Sequence, residues 1–256
     1  MEEHAHTEET HSNKTDSRKQ QSMPQLTVPS AIVLNALIIG ASIIIAAVML
    51  GGHFTTGAGV AKDDQAQQPT VTADIKNVKT DGAPFVGNPQ AKVALAYWSD
   101  YQCPFCKQFE TRTFQSILKD YVQSGKVAIV FKDFSFLGDD SDTAAEYGHA
   151  MWDLYPDKYF AWREAMYNAQ DGENTGFGNE ASIVKLTATV PGVDAGKVQK
   201  QVSTKKDIYQ KMIEADKIEG ASMGIQGTPS FITGKKLISG NNPYTDFQKA
   251  LDAQLK

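Results

Sequence analysis

The alternation of apolar and polar positions divides the chain into four stretches. Residues 1–27 carry Glu2, Glu3, Glu8, Glu9, Lys14, Arg18 and Lys19 with almost no large apolar side chain. Such a segment cannot offset the entropy of ordering, which predicts a disordered tail. Within 28–50, the run from Ala31 to Leu50 holds no charge and reaches the roughly 20 residues that a helix needs to cross a bilayer. It predicts one N-terminal transmembrane helix. Residues 51–80, with Asp63, Asp64 and a Gln-rich stretch ending at Pro69, predict a flexible linker. From 81 to 256 the pattern becomes that of a single folded domain without an internal repeat.

Inside that domain, Val93–Trp98 is a short apolar and aromatic run that suits a buried strand. Pro104 then opens a segment of helical spacing that sets Phe105, Phe109, Phe114 and Leu118 toward one side and ends near Ser124 and Gly125. Val127–Phe131 follows as a second strand, so the unit is strand, helix, strand, with a right-handed parallel crossover. A helical insertion over about 141–218 opens at Thr143 with a capping box to Glu146. It continues through Glu180–Val190 and, after the Pro191-Gly192 break, from Asp194 to about Ile218. Ser230–Thr233 and Lys236–Ser239 form a hairpin around Gly234, and Pro243 is the first residue of a last helix. The fold class is α/β: a mixed central sheet with an inserted helical subdomain.

Charge fixes the orientation of the membrane run. Lys14, Arg18 and Lys19 precede it and only Lys62 lies close behind, which keeps the N-terminus in the cytoplasm and exports everything after Gly51. The competing reading is a cleaved signal peptide, with Ala58-Gly59-Val60-Ala61 as the small-residue site. The apolar run exceeds the usual ~7–15 residues of a removable signal. A net charge of -5 gives no reason to expect nucleic acid as a partner.

The chain has two cysteines, Cys103 and Cys106, in one Cys-x-x-Cys. A disulfide closing so short a loop gains little from restricting the unfolded chain, so a staple explains the pair poorly. Placed across a helix start, the first thiol meets unpaired backbone N–H groups and the positive helix end, which favour its thiolate. The second lies one turn inside. That arrangement suits a nucleophile and a resolving thiol that exchange disulfides through a mixed-disulfide intermediate. Half a zinc site is the alternative, but it needs two more ligands, and His4, His6, His11, His53 and His149 supply no set. Copper delivery uses similar soft ligands, yet no Met or His pair supports it. The reading calls for no metal and no cofactor.

The segment Ser99-Asp-Tyr-Gln-Cys-Pro-Phe-Cys-Lys-Gln-Phe109 resembles the active-site region of the DsbA-like branch of the thioredoxin superfamily. Gly227-Thr228-Pro229-Ser230-Phe231, followed by the hairpin and Ser239-Gly240, resembles that family's cis-proline loop. Together these cover the domain from about Asp81 onward. The resemblance implies a thioredoxin-like fold and a cis bond between Thr228 and Pro229 facing the cysteines. It also implies that the Thr228 backbone pairs with an extended substrate.

Two departures tune the expectation. Many relatives carry Glu six residues before the first cysteine, where this chain has Tyr97, a poor proton acceptor at neutral pH. Asp100 and Lys132 are the candidate substitutes, against the plainer reading that both are solvated. Pro104-Phe105 replaces the Pro-His of strongly oxidising members, which removes a side chain that helps hold the thiolate and lowers the expected oxidising power. The aromatic stretch Tyr147, Trp152, Tyr155, Tyr159, Phe160, Trp162 and Tyr167 reads as a helix-face core rather than a groove.

The sequence therefore predicts an anchored thiol–disulfide oxidoreductase acting on exported proteins, with a membrane redox partner that recharges the pair. It does not give the direction of electron flow. Two other classes remain: a redox-silent chaperone or binding module, which would keep full function after Cys103→Ser, and a copper-delivery protein, which would bind metal stoichiometrically when reduced.

Overall fold

The computed structural model describes residues 72–256. The tail, the membrane helix and most of the linker predicted above lie outside those residues. Among the described residues, no helix is long and apolar enough to cross a membrane.

Five strands form one sheet in the order β1-β3-β2-β4-β5. They are β1 (Phe85–Val86), β2 (Val93–Ser99), β3 (Val127–Asp133), β4 (Ser230–Thr233) and β5 (Lys236–Ser239). β2 and β3 are parallel, in register from Val93 opposite Val127 to Ser99 opposite Asp133, and the other neighbours are antiparallel. Helix α1 (104–122) joins β2 to β3. It is α-helical at Pro104–Gln108 and Phe114–Ile117, with π-helical turns at Phe109–Thr113 and Leu118–Val122.

The insertion comprises α2 (Asp139–Leu154), α3 (Pro156–Ala169), α4 (Glu180–Thr187) and α5 (Ala195–Ser222), and α6 (Tyr244–Leu255) closes the chain. α2 begins four residues before the predicted capping box. Its N-cap is Gly138 at φ 105, and Thr143 lies inside the helix. Three acidic residues in the first turn, Asp139, Asp140 and Asp142, complement the helix dipole instead. Pro156 lacks an N–H to continue α2 and starts α3. α4 and α5 have side-chain caps: Asn179 accepts from Ser182 N, and Asp194 accepts from Lys197 N. Pro243 caps α6 rather than beginning it.

The domain also starts earlier than 81. Ala73 and Val78 are buried, Ile75 N donates to Gly234 O at 2.7 Å, and Lys79 N donates to Glu219 Oε1 at 2.8 Å. The end of the predicted linker is thus part of the folded unit.

Strand period two gives the sheet two apolar faces. Leu95, Tyr97, Ile129, Phe131 and Phe231 point toward α1, α6 and the insertion, while Ala96, Trp98 and Ile232 pack with Met223, Ile225 and Val78. Tyr147, Tyr159, Trp162 and Tyr167 are core residues, and Trp152, Tyr155 and Phe160 pack partly buried against them. The aromatic stretch is a helix-face core.

Candidate active site

β2 ends at Ser99, and a short turn delivers the chain to Cys103, the N-cap of α1, with Pro104 in the first helical turn. This turn is pinned from several sides. The Asp100 carboxylate accepts from Gln102 N (2.8 Å), Ser141 Oγ (2.7 Å), Phe136 N (3.0 Å) and Leu137 N (3.3 Å). Burial raises its pKa while those bonds oppose the rise. With both oxygens engaged, Asp100 organises the turn and does not serve as the missing proton acceptor. Gln170, at the end of α3, donates through Nε2 to Tyr101 O (2.6 Å) and Cys103 O (3.2 Å). Lys107 Nζ in turn donates to Gln170 O. The insertion therefore holds the cysteine turn directly.

Cys103 and Cys106 are both free thiols. The Thr228–Pro229 peptide bond is cis, and the Cys103 thiol donates to Thr228 O at 3.4 Å. Cys103, Cys106, Thr228 and Pro229 thus come together, as the sequence grouped them. The Cys103 pKa is lowered to about 6, first by a hydrogen bond from the Cys106 thiol, which outweighs the opposing penalty of burial, and then, to a lesser extent, by Thr228 and the backbone N–H groups of Cys106 and Phe105. The Cys106 pKa is pushed well above the ordinary thiol range by burial and by the adjacent Cys103 sulfur. One sulfur is a ready thiolate and the other a protonated, enclosed thiol. That asymmetry suits stepwise exchange, since the thiolate is the attacking species.

Phe105 departs from its predicted place. It is 57% exposed, because the residue between Pro104 and Cys106 at a helix start points outward, and it does not join Phe109 and Phe114 in the core. Lys132 is likewise excluded from the site. It pairs in register with Trp98 while Phe131 pairs with Tyr97, so it lies on the sheet face away from the cysteines. There it is held by Asp216, by Glu219 (3.0 Å) and by Lys79 O (3.0 Å).

Sequence reading missed the buried charge pair between α1 and α3 that braces the turn leading to the cysteines. Glu110, four residues after Cys106 in the first π-helical turn, accepts from Arg163 Nε (3.0 Å) and Nη2 (2.7 Å). Arg163, from α3, also donates to Ser99 Oγ (2.9 Å) and Tyr101 OH (3.2 Å), and its guanidinium carbon lies 4.2 Å from the Phe131 ring centroid. Both are buried, at 5% and 1% exposure. The spacing from Cys106 was a usable signal for Glu110. Nothing local marks Arg163.

Comparison with known proteins agrees with this picture. A sequence family described as Thioredoxin matches residues 79–253. The chain is 26% identical over 172 residues to the "Probable disulfide bond formation protein D" of Bacillus cereus, covering 67% of this chain and 78% of that protein. It is 25% identical over 175 residues to "Disulfide bond formation protein D" of Bacillus subtilis, covering 68% and 78%. The crystal structure of oxidised BdbD from Bacillus subtilis superposes with a TM-score of 0.66 at 23% identity, over 72% of this chain and 97% of that one. The thiol-disulfide exchange protein alpha-DsbA2 from Wolbachia pipientis gives 0.59 at 24% identity, over 67% and 86%.

Fold and paired thiols define a thiol–disulfide oxidoreductase of thioredoxin fold. The chain belongs to the thioredoxin family that its residues 79–253 match.

Proposed function

We propose that this protein exchanges disulfides with exported proteins through Cys103-Pro104-Phe105-Cys106, held outside the cell membrane by the uncharged run Ala31–Leu50. The observation that carries the reading is the asymmetry of the two thiols: Cys103 lowered to about 6 beside the Thr228 carbonyl, and Cys106 buried and protonated. In the oxidising direction, a substrate thiolate attacks Cys103 Sγ, the Cys103–Cys106 bond breaks, and Cys106 leaves carrying the electron pair. A second substrate thiolate then attacks the substrate sulfur of the mixed disulfide. Cys103 departs as the thiolate its surroundings favour.

Thr228 and Pro229 form the substrate loop, with the half-buried Thr228 offering a strand-like backbone edge to an extended segment. Exposed Phe105 offers that segment an apolar contact. A membrane redox partner recharges the pair through the same two sulfurs.

Expressed as the full chain, Cys106→Ser removes the resolving thiol and is expected to accumulate mixed disulfides between Cys103 and exported proteins, visible as thiol-sensitive adducts on non-reducing gels. Cys103→Ser is expected to abolish them. Adducts that persist in Cys103→Ser, or none in Cys106→Ser, would sink the reading.

A further inference from the structure

The charges of the folded domain are sorted by end, although the chain as a whole carries -5. β2 runs from Val93 to Ser99, about 20 Å at the usual strand rise, and the cysteine turn stands at its far end. Acidic residues gather around that turn. Asp139, Asp140 and Asp142 open α2, whose Ser141 hydroxyl holds Asp100, and Asp171 follows Gln170, which holds Cys103 O.

The opposite end is basic. There the start of β2, the helical turn Ile75–Asn77 and the β4–β5 turn enclose an open cleft of about 470 Å³, with Asp74, Ile75, Lys76, Lys92, Gly234 and Lys235 in its lining. The cleft forms because β4 pairs with β2 from Ala96 to Trp98, which leaves Val93 and Ala94 outside that ladder. Lys236 follows on β5, and Lys126 adjoins the cleft through the bond from Val93 N to its carbonyl (3.4 Å). All five lysines are exposed. The lysines that form ion pairs among the described residues are others: Lys132, Lys197, Lys205, Lys217 and Lys249. Asp74 is the carboxylate in the lining, and its Oδ1 already accepts from Lys76 N (3.0 Å). Five ammonium groups from four segments of the chain, with so little counter-charge, make a surface that attracts an extended array of anions.

The place where the chain enters the domain says which array that is. Residues 51–73 separate Leu50 from Asp74, a length that spans at most about 80 Å even fully extended. A domain tethered through the run Ala31–Leu50 stays within that reach of the bilayer, and the tether raises the effective concentration of headgroups around it. Lysines near an anionic leaflet are drawn to it, with an attraction that fades within a Debye length.

We propose that this lysine face is a docking surface for the anionic phospholipid headgroups of the membrane, and that docking points the cysteine turn away from the bilayer, toward exported substrates. The inference rests on the membrane attachment proposed above. The acidic residues around Cys103 reinforce the orientation, because the same leaflet repels them. Contact through solvated ammonium groups is reversible. When the domain lifts off, the membrane partner that recharges the pair reaches Cys103 and Cys106.

The test labels the lysines of the full chain, reconstituted in phosphatidylcholine vesicles with and without about 30% phosphatidylglycerol. Sulfosuccinimidyl acetate does not cross the bilayer, and mass spectrometry reads its rate at each lysine. Lys200 and Lys206, exposed on α5, are the internal reference. At low salt, the rates at Lys76, Lys92, Lys126, Lys235 and Lys236 relative to that reference are expected to fall at least threefold when phosphatidylglycerol is present. They are expected to recover in 0.5 M sodium chloride. Equal relative rates in the two kinds of vesicle, or protection that salt leaves intact, would overturn the docking surface. So would equal protection by inorganic phosphate in neutral vesicles, which would mark the cleft as a site for the free ion. Extraction with alkaline carbonate is read in parallel. A chain that washes off strikes at the attachment itself, whereas a chain that stays while all its lysines label equally strikes at the docking surface alone.

Discussion

The Thr228 hydroxyl offers a quantitative handle on the reactive sulfur. That hydroxyl is buried and meets no hydrogen-bond partner among the described residues while the Cys103 thiol donates to the Thr228 carbonyl, so it is free to turn toward the sulfur once Cys103 ionises; Thr228→Val removes that donor to the thiolate and leaves the cis loop's backbone in place. Hydrogen bonds to charged groups contribute about 1.5–3 kcal/mol. The site is only partly enclosed, so the lower end applies, and about 1.4 kcal/mol is one pKa unit. The Cys103 pKa is therefore expected to rise from about 6 to about 7. At pH 7 the lost ionisation removes about 1 kcal/mol from the reduced form, because RT ln(1 + 10^(pH − pKa)) falls. The reduction potential becomes more negative by about 20 mV. Thiolate absorbance near 240 nm across pH, and equilibration with glutathione, read the two numbers independently. A pKa unchanged by the substitution, or a potential that becomes more oxidising, would refute the role given to that hydroxyl.

Other expectations follow from the same geometry. Because the folded-state pKa of Cys103 is depressed, its stabilising contribution is full above the unfolded thiol value of about 8.5 and is lost as pH falls through about 6. From pH 7 to pH 5 the reduced protein is expected to lose about 1.4 kcal/mol more than the oxidised protein, measurable by parallel urea titrations. Gln170→Leu strips the donor from the Tyr101 and Cys103 carbonyls; it is expected to cost about 1–3 kcal/mol in the same titrations and to change the Cys103 alkylation rate. Phe105→His places a cation at an exposed position beside the thiolate, with no core packing lost, and is expected to make the potential more oxidising by about 20 mV.

The parts of the site written in neighbouring residues were legible. Cys103 and Cys106 announce a helix start by their spacing and by Pro104, and Thr228-Pro229 stands just before an apolar strand and its Gly234 turn. The sheet followed from continuous apolar runs such as Val93–Trp98. What escaped was carried by distance along the chain. Arg163 reaches Glu110 across 53 residues and Gln170 reaches Cys103 across 67, contacts that no local pattern encodes. The faces of the sheet decided the other misreadings. Lys132 is near Cys103 in no sense once strand register sends its side chain to the far side, and Asp100 spends its carboxylate on the turn itself. Phe105 satisfied a helical period that begins only one residue before it. The earlier start of α2 reflects Gly138, whose positive φ admits the turn that a downstream capping box would have placed later.

The central claim is that the Cys103–Cys106 pair passes oxidising equivalents to and from protein thiols. The most direct measurement incubates the oxidised full chain with a reduced, unfolded model protein in the absence of oxygen and counts thiols on both. The account predicts that a pair of substrate thiols is lost for each pair gained on Cys103 and Cys106, in a reaction that Cys103→Ser abolishes. Substrate thiols that stay reduced beside a fully oxidised chain, or exchange that persists without Cys103, would contradict it.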